Sequence, residues 1–157
     1  SALPVLAAVN GPAVAGGFAL ALLFDLRVAS ETATFGFPEL GRGIPPAYAA
    51  ARAALAPAVA RELCLTGRVI DAVTALALGV VSEVAQAEDL LPRALELAGA
   101  VADRPRWAVV ETKRRIVLDA EHAWGHLFAD EARAFSEAVL VELWRDVSGE
   151  AGEARRR

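Results

Sequence analysis

The apolar positions of this chain fall into short blocks near the start and helical stripes afterwards. Pro4 to Val9 (PVLAAV) is an unbroken apolar run closed by Asn10-Gly11-Pro12, which predicts a strand buried on both faces and ended by a turn. Gly16-Gly17 then opens Phe18 to Phe24 (FALALLF), too uniformly apolar for a surface helix and read as a buried one. Asp25 to Ala29 (DLRVA) and Thr34 to Phe37 (TFGF) carry β-branched or aromatic residues on either side of polar Ser30-Glu31-Thr32, predicting two more strands. The order strand, turn, helix, strand, loop, strand predicts an α/β core whose strands stack through crossover connections.

The remainder is helical in pattern. Ala47 to Ala56 is alanine-rich, and a second helix from about Ala58 to Leu65 stops at Thr66-Gly67. Asp71 is placed to cap a third helix, which ends at Gly79 before a short apolar strand, Val80 to Val84. Ala94, Leu97, Ala98 and Val101 repeat at helical spacing and mark an amphipathic helix between Asp89 and Ala102. Pro105 starts another toward Leu118. A last helix spans about Glu121 to Val147, with Leu127, Ala134, Ala138 and Val141 among its apolar positions, before a polar tail from Gly149 to Arg157. This predicts a strand-containing region over 1–86 and a helical region over 87–157.

Composition narrows the function classes. At 157 residues, 55% hydrophobic and 23% charged, the chain can bury a core and is not a disordered binder. A net charge of −4 lacks the basic excess of a nucleic-acid surface, and the Arg155–Arg157 tail is too short to supply one. The apolar stretch Gly11 to Phe24 is 14 residues, below the ~18–20 needed to span a bilayer. A single cysteine, Cys64, excludes a disulfide framework and fits a reducing cytoplasm.

Two segments could carry chemistry. In Asn10 to Gly17 (NGPAVAGG), glycines ahead of a helix let the backbone approach a ligand, and the first helical N–H groups lack intrahelical acceptors. Such donors can hold an oxyanion or a phosphate, and the same turn equally serves close packing of helix on strand. The string is not GxGxxG, so a dinucleotide fingerprint is absent. In Phe35 to Glu39 (FGFPE) a carboxylate follows a proline among apolar neighbours. If dry, it becomes a competent base; taken alone, it reads first as a surface loop acid.

Taken together, Pro4–Gly11 (PVLAAVNG), the glycine turn, Asp25–Ser30 (DLRVAS), Phe35–Glu39 (FGFPE) and Gly43-Ile44-Pro45 resemble the active-site segment of the enoyl-CoA hydratase/isomerase (crotonase) family. The resemblance continues through Leu65-Thr66-Gly67, Asp71-Ala72 and Leu78-Gly79-Val80-Val81, covering roughly residues 3–120. It implies part of a ββα spiral followed by a C-terminal helical trimerisation region, and an acyl-CoA thioester as substrate. It implies that Gly16 supplies an oxyanion-hole N–H, with Ala15 and Gly17 in the other two positions of the family's triple glycine. Phe18, Phe37, Leu40 and Ile44 would line the acyl pocket. No cofactor is implied beyond the CoA of the substrate, and no metal.

Hydratases of this family pair two glutamates, and the position of the first falls on Ala19 here. Glu39 alone remains, so the resemblance points to double-bond isomerisation by one glutamate; hydratase and decarboxylase chemistry stay as alternatives. Family members also carry a long part ahead of the PVLAAVNG strand. That implies a second oxyanion N–H and a CoA grip from outside this chain, with a second chain as a candidate source; the family resemblance separately implies a homo-oligomer, a trimer or dimer of trimers. A non-catalytic, truncated or split subunit is the competing reading.

Other residues carry simpler expectations. His122 and His126, four apart, read as ordinary polar helix positions without a third metal ligand. Cys64 reads as buried and inert, and Trp107, Trp124 and Trp144 as core or interface anchors. Lys113-Arg114-Arg115 reads as a solvated helix face, with contact to CoA phosphates as the functional alternative.

Overall fold

The computed structural model describes the backbone of residues 1–148 and the side chains of residues 1–137. The expected tail from Gly149 and the side chains of Ala138, Val141 and Trp144 lie outside the described residues.

The chain deals its first strands alternately into two three-stranded sheets. β1 (Leu6–Val9) turns at Asn10-Gly11 into β2 (Pro12–Val14), α1 (Gly16–Leu22) follows, and then come β3 (Leu26–Ser30) and β4 (Thr34–Gly36). β1 pairs in parallel with β3, and β2 in parallel with β4, so each ββα turn adds one strand to each sheet. A 3₁₀ turn at Pro38–Arg42 leads into α2 (Tyr48–Ala54) and α3 (Pro57–Thr66). β5 (Val69–Asp71) then pairs antiparallel with β4, giving sheet order β2-β4-β5. After α4 (Ala72–Ala77), β6 (Glu83–Ala85) joins β3 in parallel, completing β1-β3-β6. α5 (Leu90–Ala102) packs on β1 and β3, and α6 (Arg106–Ser148) packs on α2. The expected α/β core, followed by helices, is what the chain forms.

Several boundaries move for physical reasons. The turn after β1 is real at Asn10-Gly11, but Pro12 begins a strand the sequence pattern did not show; lacking an N–H, proline suits the first residue of an edge strand. β5, three residues long, is too short for a periodicity. Asp71 ends it and caps α4 as expected, its Oδ1 accepting the Thr74 N–H at 2.8 Å. The strand expected at Val80–Val84 lies at Glu83–Ala85, while Val80 and Val81 are buried in the turn before it. The two expected C-terminal helices are one of 43 residues, because nothing between Leu118 and Glu121 breaks a helix.

Burial also corrects two expectations. β1 is an edge strand with Ala7 buried but Ala8 exposed, so it is covered on one face only. α1 buries Phe18, Ala21 and Leu22, yet Leu20 and Leu23 are 55% and 53% exposed. The core itself is aromatic: Phe18, Phe35 and Phe37 are fully buried, with Phe18 centred 5.7 Å from Phe35 and 4.8 Å from Phe37.

Among the described residues no helix is long and apolar enough to cross a membrane.

Candidate active site

The register of β2 on β4 builds the site. Pro12 pairs with Thr34, Ala13 with Phe35 and Val14 with Gly36, so both strands end at the same level. The Ala15 N–H extends the ladder by one bond, donating to Gly36 O at 2.9 Å. From there one chain enters α1 through Ala15-Gly16-Gly17, and the other enters the 3₁₀ turn through Phe37-Pro38-Glu39. The oxyanion candidate and the acid thus emerge side by side at the carboxyl ends of neighbouring parallel strands, where ligands bind in open α/β sheets.

Gly16 and Gly17 are exposed, and their N–H groups precede the first intrahelical bond, from Ala19 N to Ala15 O at 3.0 Å. Ala15 adopts φ 53° and ψ −127°, a conformation that glycine takes freely and alanine only with strain. At the far end of α1, Arg27 donates to Phe24 O and Val80 O, each at 2.6 Å, so its cation closes the helix C-terminus. Burial lowers the Arg27 pKa, partly offset by Asp25.

Glu39 sits just after Pro38, half-buried, with Oε2 out of solvent and without a hydrogen-bond partner among the described residues. Desolvation pushes its carboxyl above the ordinary range, partly opposed by its own backbone N–H. Gly43, at φ 79°, closes the turn, and the Ile44 N–H donates to Glu39 O at 3.2 Å. The glycine of FGFPE has a steric cause: a Cβ on Gly36 would stand 2.9 Å from Val69 Cα and closer still to Arg68 O. β5 therefore presses directly on the strand that delivers Glu39.

The remaining sequence-predicted site residues divide. Leu40 and Ile44 are half-buried beside Glu39, and Ala15 is half-buried at the glycine turn. Phe18 and Phe37 present no surface and back the site from within the core. Ala19 packs half-buried against that core and brings no acid.

Two residues have roles that the sequence did not disclose. Lys113 is not on a solvated face: its Nζ donates to both Asp25 carboxyl oxygens at 2.6 and 2.7 Å, and the pair is buried. Arg114 and Arg115 are exposed and pair with Glu111 on their own helix. Glu131 reaches from α6 to the start of α2, where its Oε1 accepts the Ala49 N–H at 2.7 Å. Neither role has a local signal, because each partner lies far along the chain.

Cys64 is buried, and its pKa rises to about 11 through desolvation and the charges of Glu131 and Glu39. Trp107 is 77% exposed and so is not a core anchor of this chain. Trp124 is half-buried, with the Arg52 guanidinium 4.5 Å from its ring centre. His122 and His126 are exposed. No group of three or more His, Cys, Asp or Glu is placed to hold a metal among the described residues.

Comparison with known proteins adds to this geometry. The family model described as enoyl-CoA hydratase/isomerase matches residues 1–146. The chain is 40% identical over 109 residues to a crotonyl-CoA hydratase of Syntrophomonas wolfei, covering 68% of this chain and 42% of that protein. The solved enoyl-CoA hydratase of Mycobacterium tuberculosis superposes with a TM-score of 0.76 at 31% identity, over 85% of this chain and 62% of that one. A monofunctional enoyl-CoA isomerase of M. smegmatis does so with a TM-score of 0.67 at 33% identity, over 76% and 58%. The chain spans about half the length of the curated relatives it matches, 42% to 56% of the first three.

Proposed function

The chain belongs to the enoyl-CoA hydratase/isomerase family, and on that premise we propose that it carries the acid–base half of an acyl-CoA double-bond isomerase. The observation that carries the reading is Glu39: a lone carboxyl, one oxygen buried and unpartnered, beside a glycine turn whose N–H groups lack intrahelical acceptors. In a 3-enoyl-CoA the Glu39 carboxylate removes a proton from C2. The C–H electron pair moves into the thioester carbonyl, and the Gly16 N–H stabilises the resulting enolate oxygen. Glu39 then returns the proton at C4, and the double bond moves from C3–C4 to C2–C3. No electrons enter or leave, so the reaction needs no cofactor beyond the CoA of the substrate.

Ala19 supports isomerase over hydratase, because adding water benefits from a second group to activate it. Hydration is the second reading, favoured by relatives named as hydratases; decarboxylation is a third outcome of the same assay. Leu40 and Ile44 would form the acyl wall, with Phe18 and Phe37 behind them. We place the working site in the cytoplasm, in a homo-oligomer of trimeric type. The second oxyanion donor and the CoA grip would come from a segment or chain outside this sequence.

The test is turnover of 3-enoyl-CoA, 2-enoyl-CoA and malonyl-type thioesters by the chain, alone and with a complementing N-terminal polypeptide. Glu39→Gln should lower isomerase turnover by about 10²–10⁴-fold, the usual loss of a general base. Full turnover in that variant, or hydration without isomerisation, overturns the reading. Failure to bind acyl-CoA under both conditions supports a non-catalytic subunit instead.

A further inference from the structure

The segment that follows Glu39 is held at both ends. At its start the Ile44 N–H bonds to the Glu39 carbonyl, and Pro45 and Pro46 then fix two consecutive φ angles. At its end the chain enters α2, where no side chain of α2 or of the segment before it caps the first turn. That capping comes from 82 residues away: Glu131 on α6 accepts the Ala49 N–H at 2.7 Å. The carboxyl is desolvated, which raises its pKa, and the Ala49 and Tyr48 N–H groups oppose that rise.

Glu131 does not act alone in bringing α6 here. Trp124 lies under Arg52 of α2, and Phe128 packs against the buried core. Residues 124, 128 and 131 are spaced four and three apart, one face of a helix. Burial raises the Cys64 pKa on α3, and the charges of Glu131 and Glu39 add to that rise.

We propose that Glu131 is a positioning residue for Glu39: by holding the Ala49 amide in the first turn of α2 it anchors the Ile44–Ala47 segment, and through the bond from the Ile44 N–H to the Glu39 carbonyl it keeps the acid in its dry orientation. The C-terminal helix is then part of the site's framework. This rests on Glu39 as the proton carrier, but its test does not depend on turnover.

In the full chain, amide hydrogen exchange at Ile44 and Ala49 and the ¹³C titration of the Glu39 carboxyl are followed in wild type, Glu131→Gln, Glu131→Asp and Glu131→Ala. Glutamine keeps an acceptor of the same reach, whereas aspartate keeps the charge but is too short. Exchange at both amides should rise about tenfold or more in the Ala and Asp variants, as expected for losing the hydrogen bond altogether. It should stay near wild type in the Gln variant, and the Glu39 titration should drop toward the ordinary range in Ala and Asp only. If Glu131→Ala does not fold, the Asp and Gln pair decides. Faster exchange at Ala49 with Ile44 and Glu39 unmoved makes the cap merely local and overturns the proposal. An equal Glu39 drop in Gln and Ala also overturns it, since that is a through-space charge effect. With an active enzyme, kcat should fall in Ala and Asp with KM little changed. A wild type without turnover counts against the isomerase reading alone, because exchange and titration still decide the role of Glu131.

Discussion

Lys113 and Asp25, 88 residues apart in the chain, form a buried ion pair in which one ammonium spans both carboxyl oxygens. Asp25 Oδ2 also accepts the Val5 N–H at 2.7 Å, so the pair ties α6 to the approach of β1 and the start of β3. Both side chains are about a tenth exposed, at 11% and 12%. Both residues form part of the wall of an apolar cleft of about 570 Å³, together with Leu26, Val101, Val109 and Ile116.

Breaking the pair from one side should therefore be severe. Lys113→Met leaves the Asp25 carboxylate buried with only a backbone donor, and a loss of about 3–5 kcal/mol is expected. Asp25→Asn with Lys113→Met removes both charges and should recover most of that loss. Urea unfolding of the two single variants and the double variant measures the coupling. Equal additive losses would place the pair in solvent, contrary to its burial.

Ala15 marks a second, opposite prediction. Its positive φ costs about 1–3 kcal/mol for a residue with a Cβ. Ala15→Gly removes that strain at an entropic cost of about 0.5–1 kcal/mol in the unfolded chain. The net expectation is a stabilisation of about 1 kcal/mol, read as a higher thermal midpoint. A lower midpoint would mean that the alanine methyl packs better than the backbone suffers.

Cys64 should be silent. Its thiol is buried and its pKa stands near 11, so the reactive thiolate is scarce at neutral pH. A maleimide should label it only under denaturing conditions. Rapid labelling of the folded chain would place α3 away from the core.

What the sequence disclosed follows from distance along the chain. FGFPE is contiguous, so the acid, the proline before it and the apolar setting could be read together, and the geometry keeps them together. The α/β order and the Asp71 cap were equally local. β2 and β5 were hidden because three residues cannot show alternation, although β5 is why Gly36 must lack a side chain. Lys113 and Glu131 were hidden because their partners, Asp25 and Ala49, sit 88 and 82 residues away. An uninterrupted apolar run also overstated burial on α1, since composition does not say which faces are covered; Leu20 and Leu23 are open.

The Glu39 carboxyl predicts two pH dependences of opposite sense. As a base it must be ionised, and desolvation raises its pKa above the ordinary value. The acid limb of kcat/KM should therefore lie above the ordinary carboxylate range and vanish with Glu39→Gln. Stability runs the other way. The folded state binds this proton more tightly than the unfolded one, so the stabilising contribution is complete below the unfolded pKa. It is lost as pH rises through the folded pKa. Glu131 shifts in the same direction, but it is unchanged between wild type and Glu39→Gln, so their difference isolates Glu39. The variant should match wild type in strongly acidic urea titrations and exceed it at neutral pH, where wild type must hold a partly desolvated charge. A variant less stable than wild type at neutral pH would show that the ionised carboxylate is well solvated, and with it the dry base would go.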